Sequence, residues 1–412
     1  MGWGGYWAWD PVENASLLPW LTGTALVHSV MVQEKRKLLP VWNLTLAIVT
    51  FLLTLLGTFL TRSGVLDSVH SFTESAIGPW FLIFTGAVLA ISVGLLLWRA
   101  PFFKPAGRQS GSSRFENLLS LEVLFLFNNL LFVSFCFVVF LGTWYPLVVE
   151  ALQGKRISVG QPYFNQMSVP ITCMILLVLG IGLLTPWRKG DPKKIRTSAK
   201  LPALLSAVVT LVAWILGARS PLIAGMIGLC GFAFFVMLLE VIRLSKTRSP
   251  LALLVDNPRR YGGFVSHLGA LMVVIGVAFS AIYETDREIT LKKGESAAVG
   301  NYELVFEEVV SRDTPQRYEV RARVDVTHNG KIKRVMTPQM NYYPNSREPV
   351  ATPAIRSNLL RDIYLTLIQV EENGSRASLR VIIAPGVSWI WIGGFVVMLG
   401  GLLALSFGRK KV

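Results

Sequence analysis

Thiol chemistry has little to stand on in this sequence, which holds three cysteines among 412 residues. Cys136, Cys173 and Cys230 fall within apolar runs, far apart and with no Cys-X-X-Cys spacing. Each reads as a small buried hydrophobe, which excludes a disulfide framework and a thiolate redox centre. Charge is also scarce: 16% of residues are Asp, Glu, Lys or Arg and 52% are apolar, far from the soluble norm. There are four histidines, and no cluster of Cys, Met or carboxylates at short spacing that a zinc or copper centre would recruit. No internal repeat is visible, and the N-terminus lacks the basic segment followed by an apolar one that marks a signal peptide.

What the chain does have is long apolar runs. A membrane span needs about 20 predominantly apolar residues, and nine stretches qualify: 17–33, 39–60, 79–98, 116–141, 170–185, 201–217, 221–241, 264–282 and 389–407. The net charge of +15 is distributed by span end and not by sequence block. Alternate ends carry Lys35, Arg36 and Lys37, then Arg99 to Arg114, Arg188 to Lys200, Arg243 to Arg260, and finally Arg409, Lys410 and Lys411. The opposite short loops hold only Arg62, Lys155, Arg156 and Arg219. By the positive-inside rule the rich ends are cytoplasmic. The basic balance therefore reports topology and contact with anionic membrane lipid, and no nucleic-acid partner is expected.

Between about 283 and 385 the pattern changes to short charged runs of alternating polarity, such as Tyr318 to Val326, with a hairpin signal at Asn329-Gly330. The expected fold is a polytopic α-helical membrane protein of about nine spans with one extracytoplasmic β-rich domain inserted before the last span. The expected division is 1–282 for the Trp-rich motif and eight spans, 283–385 for the β-rich domain, and 386–412 for the last span and basic tail. His328, at the hairpin, is expected to be solvent-exposed and structural.

The first residues differ from all of this. Trp3, Gly4, Gly5, Tyr6, Trp7, Trp9 and Asp10 place four aromatics and two glycines in one short stretch. Glycines let a flat ligand approach the backbone and indoles supply rigid apolar walls, although Trp and Tyr also gather at membrane interfaces with nothing bound. Asp10-Pro11-Val12-Glu13 spells a helix start with Asp as N-cap, so Asp10 is a cap before it is a catalyst. A short interfacial helix is expected there, feeding the first span at Pro19-Trp20. A second aromatic-rich outside loop is expected after residue 141, with Trp144, Tyr145, Tyr163 and Phe164.

His28 lies in the first span five residues from Gln33, and His267 in the eighth span six residues after Tyr261, so the two sit at matched depth. Each alone reads equally as a helix-packing contact, but an ionisable group in a span needs a reason. His70 falls in the polar outside segment after the second span, where a plain loop histidine is the competing reading. Haem explains the three together: iron takes axial imidazoles, and its faces suit Trp and Tyr.

The order of residues carries a resemblance. WGGYWAWDPVENAS resembles the tryptophan-rich WWD signature of the haem-handling membrane proteins of cytochrome c biogenesis. TRSGVLDSVHSF from Thr61, GTWYP from Gly142, VGQPYFN from Val159 and RRYGGFVSHLG from Arg259 are similar to the CcmF family, haem lyase subunits of system I cytochrome c maturation. The resemblance runs from residue 1 to the C-terminus. It implies that His28 and His267 hold a resident b haem, that His70 ligates an incoming haem which is the substrate, and that the WWD residues hold its macrocycle. The implied reaction is thioether formation between the haem vinyls and the Cys-X-X-Cys-His thiols of apocytochrome c. A CcmE-type carrier would bring haem, and CcmH-type and CcmI-type subunits would complete the complex in a bacterial or equivalent organellar inner membrane. The WWD motif and the β domain would lie on the periplasmic side. The resident haem would act as an electron relay. No residue reads as an acid or nucleophile for the step, so catalysis would lie in orienting reactants.

The family carries helices and a second outside histidine before the WWD motif, whereas Met1 stands two residues before Trp3. A C-terminal portion of a split or truncated chain is expected, with an N-terminal companion chain as partner. Two other classes stay open: a b-type quinol oxidoreductase, which needs a quinone pocket, and a haem transporter, which needs repeats or broken helices around a midplane site.

Overall fold

The structure, a computed structural model, describes residues 5–62, 77–103, 119–187, 190–246, 249–328, 330, 332–344, 349–371 and 373–405. Trp3, Gly4 and His70 lie outside the described residues. The helices are α1 Pro11–Arg36, α2 Pro40–Arg62, α3 Gly78–Arg99, α4 Leu121–Gln153, α5 Gln161–Leu184, α6 Pro192–Ile215, α7 Pro221–Ser245, α8 Pro250–Asp256, α9 Pro258–Tyr283 and α10 Val387–Leu405. All but α8 are long and apolar enough to cross a membrane, nine among the described residues. The chain is a polytopic membrane protein with a β-sandwich before its last helix.

Four helix starts follow one local rule. Asp10, Asp191, Ser249 and Asn257 each precede a proline and cap the helix that begins there. The capping side chain accepts an orphan backbone N–H, and proline at the first helical position has no N–H to orphan. At Asp10 the capping box is complete: Asp10 Oδ1 accepts from Val12 N at 2.9 Å, and Glu13 Oε2 accepts from Asp10 N at 3.2 Å.

Three expectations are corrected. The separate interfacial helix is absent: α1 runs unbroken through Pro19 to Arg36. The expected loop after residue 141 is largely helical, because α4 continues through Pro146 for 33 residues and α5 starts at Gln161. Proline removes one hydrogen bond without forcing a helix to end, and a helix that long spans about 50 Å against a hydrocarbon layer of about 30 Å. Apolar content marked where the expected span ended but not where the helix did. His328 is half-buried, its ring 4.7 Å from that of Tyr302 on the neighbouring strand, because position 328 pairs with Tyr302 in the ladder and not with solvent.

Contacts gather the chain into two compact units, one of Trp7 to Arg243 and one of Tyr6 with Leu244 onward. In the first, Leu18, Leu21 and Ala25 of α1 pack with Leu46 and Leu53 of α2, and with Phe132, Cys136 and Val139 of α4. Thr50 donates to Thr22 Oγ1 at 2.8 Å within this seam.

In the second unit the β-sandwich has one sheet of order β1-β10-β9-β8 and a second of order β2-β3-β4-β6-β7, with β5 on β4. Here β1 is Thr285–Lys292, β2 Ser296–Val299, β3 Tyr302–Asp313, β4 Tyr318–His328, β5 Ile332–Met336, β6 Gln339–Tyr342, β7 Val350–Thr352, β8 Ala354–Ser357, β9 Arg361–Val370 and β10 Arg376–Pro385. Alternation puts Tyr302, Leu304 and Phe306 inward, opposite Ile363, Leu365 and Leu367 of β9 and Leu379, Val381 and Ile383 of β10. Strands β4 and β5 pair antiparallel, as the expected hairpin requires, and Gly330 between them has φ +69°, while residue 329 lies outside the described residues.

The helices on either side of the sandwich, α9 and α10, are antiparallel and meet backbone to backbone. Gly262, Gly269 and Gly276 recur every seven residues on α9, as do Gly386, Gly393 and Gly400 around α10. A Cβ built on Gly269 would lie 2.5 Å from the Gly393 carbonyl oxygen, and one on Gly393 would lie 2.6 Å from that of Gly269. Gly262 faces Gly400, and Gly276 faces Gly386, equally closely. Small residues at the seam let membrane helices approach until dispersion contacts replace a hydrophobic drive that lipid cannot supply.

Candidate functional site

Within the first unit, three separated sequence segments converge on Trp9. Its ring stacks on Phe164 with centroids 5.0 Å apart and planes 9° from parallel, and meets Trp7 edge-on at 5.6 Å. Its indole N–H donates to Asn165 Oδ1 at 2.9 Å, and its carbonyl accepts from Asn14 Nδ2 at 3.1 Å. Asn14, fully buried, also donates from Nδ2 to Thr143 Oγ1 at 3.0 Å on α4. Gly142 makes this possible. A Cβ there would lie 2.5 Å from the Tyr163 ring and 2.7 Å from that of Phe164, so only a bare backbone lets α5 bring its aromatics against α4 beneath Trp9.

Trp9 is held at φ +58°, a left-handed conformation costly for a bulky residue. Such strain of about 1–3 kcal/mol persists only where surroundings over-determine it, as the stack and two hydrogen bonds do here. The result is an indole face of fixed orientation at the head of α1. Gly5 has a different reason for being glycine than the close approach expected of it: its φ is +124° and a Cβ would meet nothing within 4 Å. Trp144 stands apart from Trp9, stacked on Phe140 and Phe59.

His28 sits lower on α1, half-buried, with its ring centroid 5.6 Å from Phe125 and 6.2 Å from Phe132 of α4. Its Nδ1 is 2.8 Å from the Thr24 carbonyl oxygen. A carbonyl only accepts, so Nδ1 carries the proton and Nε2 the lone pair, the tautomer in which an imidazole ligates iron while its other nitrogen is anchored. The aromatic flanks and the fixed tautomer fit an axial haem ligand.

In the second unit, His267 lies on α9 beside Ser266, whose hydroxyl donates to Val397 O of α10 at 3.2 Å. At 100° per residue His267 is roughly 140–160° around the helix from Gly262 and Gly269. It therefore projects from the face opposite the glycine seam, away from α10. Tyr6 also belongs to this unit, against Ile382, Ala384 and Val387 with Tyr364 alongside. Ser280 donates to Glu284 Oε2 at 3.2 Å nearby, and burial pushes both the Tyr6 phenol and the Glu284 carboxyl up from their ordinary pKa values. Asp10 is accounted for by its cap. Among the described residues no group of His, Cys, Asp and Glu forms a metal cluster. Phe164 stands among the aromatics expected in the outside loop after residue 141, whereas Asn14, Gly142, Thr143 and Asn165 lie in the quoted motifs with no role in holding Trp9 expected of them.

Similarity to known proteins runs along the chain. Residues 1–66 match the family model of the cytochrome C assembly protein, and residues 282–385 match that of the CcmF C-terminal beta-sandwich. The whole chain aligns with the cytochrome c-type biogenesis protein CcmF of Escherichia coli K12 at 37% identity, covering 62% of that protein. It aligns with CcmF of Pseudomonas aeruginosa at 36%, again covering 62%. A solved structure, cytochrome c heme lyase CcmF, superposes with TM-score 0.76 at 31% identity over 98% of this chain and 61% of that one. The chain spans less than two thirds of the length of these relatives, and over that length it is similar to them in sequence and fold.

Proposed function

We infer that this chain, similar to CcmF proteins in sequence and fold, works in cytochrome c maturation as a haem lyase component, holding incoming haem while it is joined to apocytochrome c. The observation that carries this reading is the fixed indole of Trp9, strained in its backbone and clamped by Phe164, Asn165 and Asn14. Each thioether forms by addition: a cysteine sulfur bonds one vinyl carbon, the thiol hydrogen ends on the other, and nothing leaves. The protein need supply no nucleophile. Trp7 and Trp9 offer flat faces to the macrocycle, His70 is assigned to its iron, and the barrier falls because the reacting atoms are held in register.

His28 and His267 are assigned to a resident b haem; the anchored tautomer of His28 supports the assignment. When bound, that group supplies one-electron relay to the delivered iron. The distribution of Lys and Arg supports a periplasmic position for the Trp-rich stretch and the sandwich, in a bacterial inner membrane or its organellar equivalent. A CcmE-type carrier is the proposed source of haem, and CcmH-type and CcmI-type subunits the proposed presenters of apocytochrome c.

The test is covalent haem attachment to a reporter cytochrome c, scored by haem staining after denaturing electrophoresis in cells holding the full maturation system. The double variant Trp9→Ala with Phe164→Ala is expected to lower staining at least about tenfold, the scale on which misplacing a reactant acts, with the chain still present in the membrane. Undiminished staining would reject the platform.

A further inference from the structure

The seam between α1 and α4 is apolar through most of its length and then turns polar beside His28. Four contacts fix its antiparallel register: Asn14 with Thr143, Leu18 O with Cys136 Sγ, His28 with Phe125 and Phe132, and Arg36 Nε with Glu122 Oε1 at 3.1 Å. Interpolation between them sets Asn129 opposite His28 and Ser29. Asn129 lies four residues after Phe125 and three before Phe132, so it shares the α4 face that those rings turn toward His28.

Asn129 is 1% exposed and Ser29 is 0% exposed. Neither the amide oxygen nor the amide nitrogen of Asn129 has a hydrogen-bond partner among the described residues, and the same holds for the Ser29 hydroxyl. Trp42 Nε1 and Asn43 Oδ1 on α2 are likewise unpartnered, although Asn43 Nδ2 donates to Gln33 Oε1. An unsatisfied amide in hydrocarbon costs several kcal/mol. Apolar residues fill the neighbouring layers of this seam, so leucine in place of Asn129 would satisfy the packing without that cost. Of the five orphaned atoms, Asn129 Nδ2, Ser29 Oγ and Trp42 Nε1 can donate, a set that complements an acceptor with several lone pairs, while the amide oxygens of Asn129 and Asn43 accept.

The geometry points to a second, polar element of the His28 site: Asn129, with Ser29, hydrogen-bonds the carboxylate edge of the planar cofactor that His28 ligates. This rests on the assignment of a resident haem to His28. Asn129 is a positioning residue in that role. Its amide holds the carboxylate ionised and the macrocycle at one rotation, and so sets both retention and potential.

The experiment compares the purified full chain with Asn129→Leu, Asn129→Gln and Ser29→Ala, reading haem per polypeptide and a redox titration at several pH values. Asn129→Leu is expected to weaken haem retention about tenfold, the usual cost of losing an outer partner, and to make the midpoint potential of the remaining haem more pH-dependent near neutrality. Asn129→Gln restores part of both, and Ser29→Ala shows a smaller change in the same direction. Wild-type haem content, potential and pH dependence in Asn129→Leu, with an equal or higher unfolding temperature, would overturn the inference and leave the layer as a packing defect. A wild-type chain without haem would overturn the resident-haem reading, and this one with it. Should the Leu variant not accumulate, Asn129→Ser against Ser29→Ala carries the same comparison.

Discussion

Two helix seams in this chain solve the same problem by opposite means. Between α9 and α10, side chains are removed until backbones touch, with the carbonyl oxygens of Gly269 and Gly393 each within 2.6 Å of the place where a Cβ on the other would lie. Between α1 and α4, side chains of very different kinds fill a wider gap: Asn14, Leu18 and Leu21, then His28 and Ser29, then the buried pair Arg36 and Glu122. Lipid gives neither seam a hydrophobic drive, so each relies on packing and hydrogen bonds. The glycine seam has no room for a ligand, and the one hydroxyl described within it, on Ser266, is engaged by the Val397 carbonyl. The α1/α4 seam carries candidate chemistry at both ends, because only a seam spaced by side chains can aim functional groups. Rigidity and reactivity are thus divided between different helix pairs.

The sharpest way to break this contrast is to add one side chain to each seam. Gly269→Val or Gly393→Val should cost at least the roughly 1–3 kcal/mol of an overpacked core, with no soft neighbour to yield, since the opposing atoms are backbone. The expected outcome is loss of folded chain by fluorescence-detected gel filtration. Gly231→Ala on α7, whose Cβ would meet only Val209 at 3.6 Å, should be tolerated and serves as the control.

On the other side, Phe164→Ala removes a side chain that is 2% exposed and should cost about 3–5 kcal/mol. It should also release Trp9, seen as a red shift and broadening of tryptophan emission absent in a Trp9→Phe background. Asn14→Ala deletes two hydrogen bonds at the head of the same seam. An effect of about 1–3 kcal/mol is expected by thermal unfolding, the scale of a buried partner lost.

Within the sandwich unit, two carboxyls should respond to pH with opposite sign. Burial raises the pKa of Glu284. A carboxyl that binds its proton more tightly when folded gives its full stabilisation in acid, below its unfolded pKa, and loses it as pH rises through the folded value. Glu319 is lowered, first by its hydrogen bond from Arg317 and then by that from Arg321, both at 2.6–2.7 Å. Its stabilisation is present above the unfolded pKa and is lost as pH falls through the folded one. Glu284→Gln should therefore flatten a decline in unfolding temperature on the alkaline side of the usual carboxylate range. Glu319→Gln should flatten a decline on the acid side. The same slope in both variants would refute the assignments.

Much of the fold was legible because membrane spans announce themselves locally: a run of apolar residues suffices, as does the alternation from Tyr318 to Val326 for a strand. The cap at Asp10 was equally local. What escaped was long-range or hidden by a sequence break. The seven-residue glycine spacing stands in plain view at 262, 269 and 276, yet its partner glycines come more than a hundred residues later, beyond an entire sandwich. The extension of α4 past Pro146 went unread because hydropathy reports the thickness of lipid and not the length of a helix. Trp9 was legible as a candidate, but what clamps it was not, since Asn14, Thr143 and Asn165 are ordinary polar residues until the fold brings them together. The placement of Asn129 beside His28 is invisible without the α1/α4 register.

The glycine seam has one further consequence. At its upper end α9 passes directly into β1, and β10 passes directly into α10, while β1 and β10 are themselves antiparallel neighbours with Thr285 opposite Ile383. The Asn358–Leu360 turn grips the start of α10 through its backbone carbonyls: Asn358 O accepts from Ser388 Oγ, and Leu359 O from Trp389 Nε1. The sandwich is thereby mounted like a tuning fork's head on a two-pronged stem, entered and left through a single cross-section. Touching backbones leave the two prongs no room to slide past each other, so a displacement of the sandwich is shared by both. His267 rides on one of those prongs.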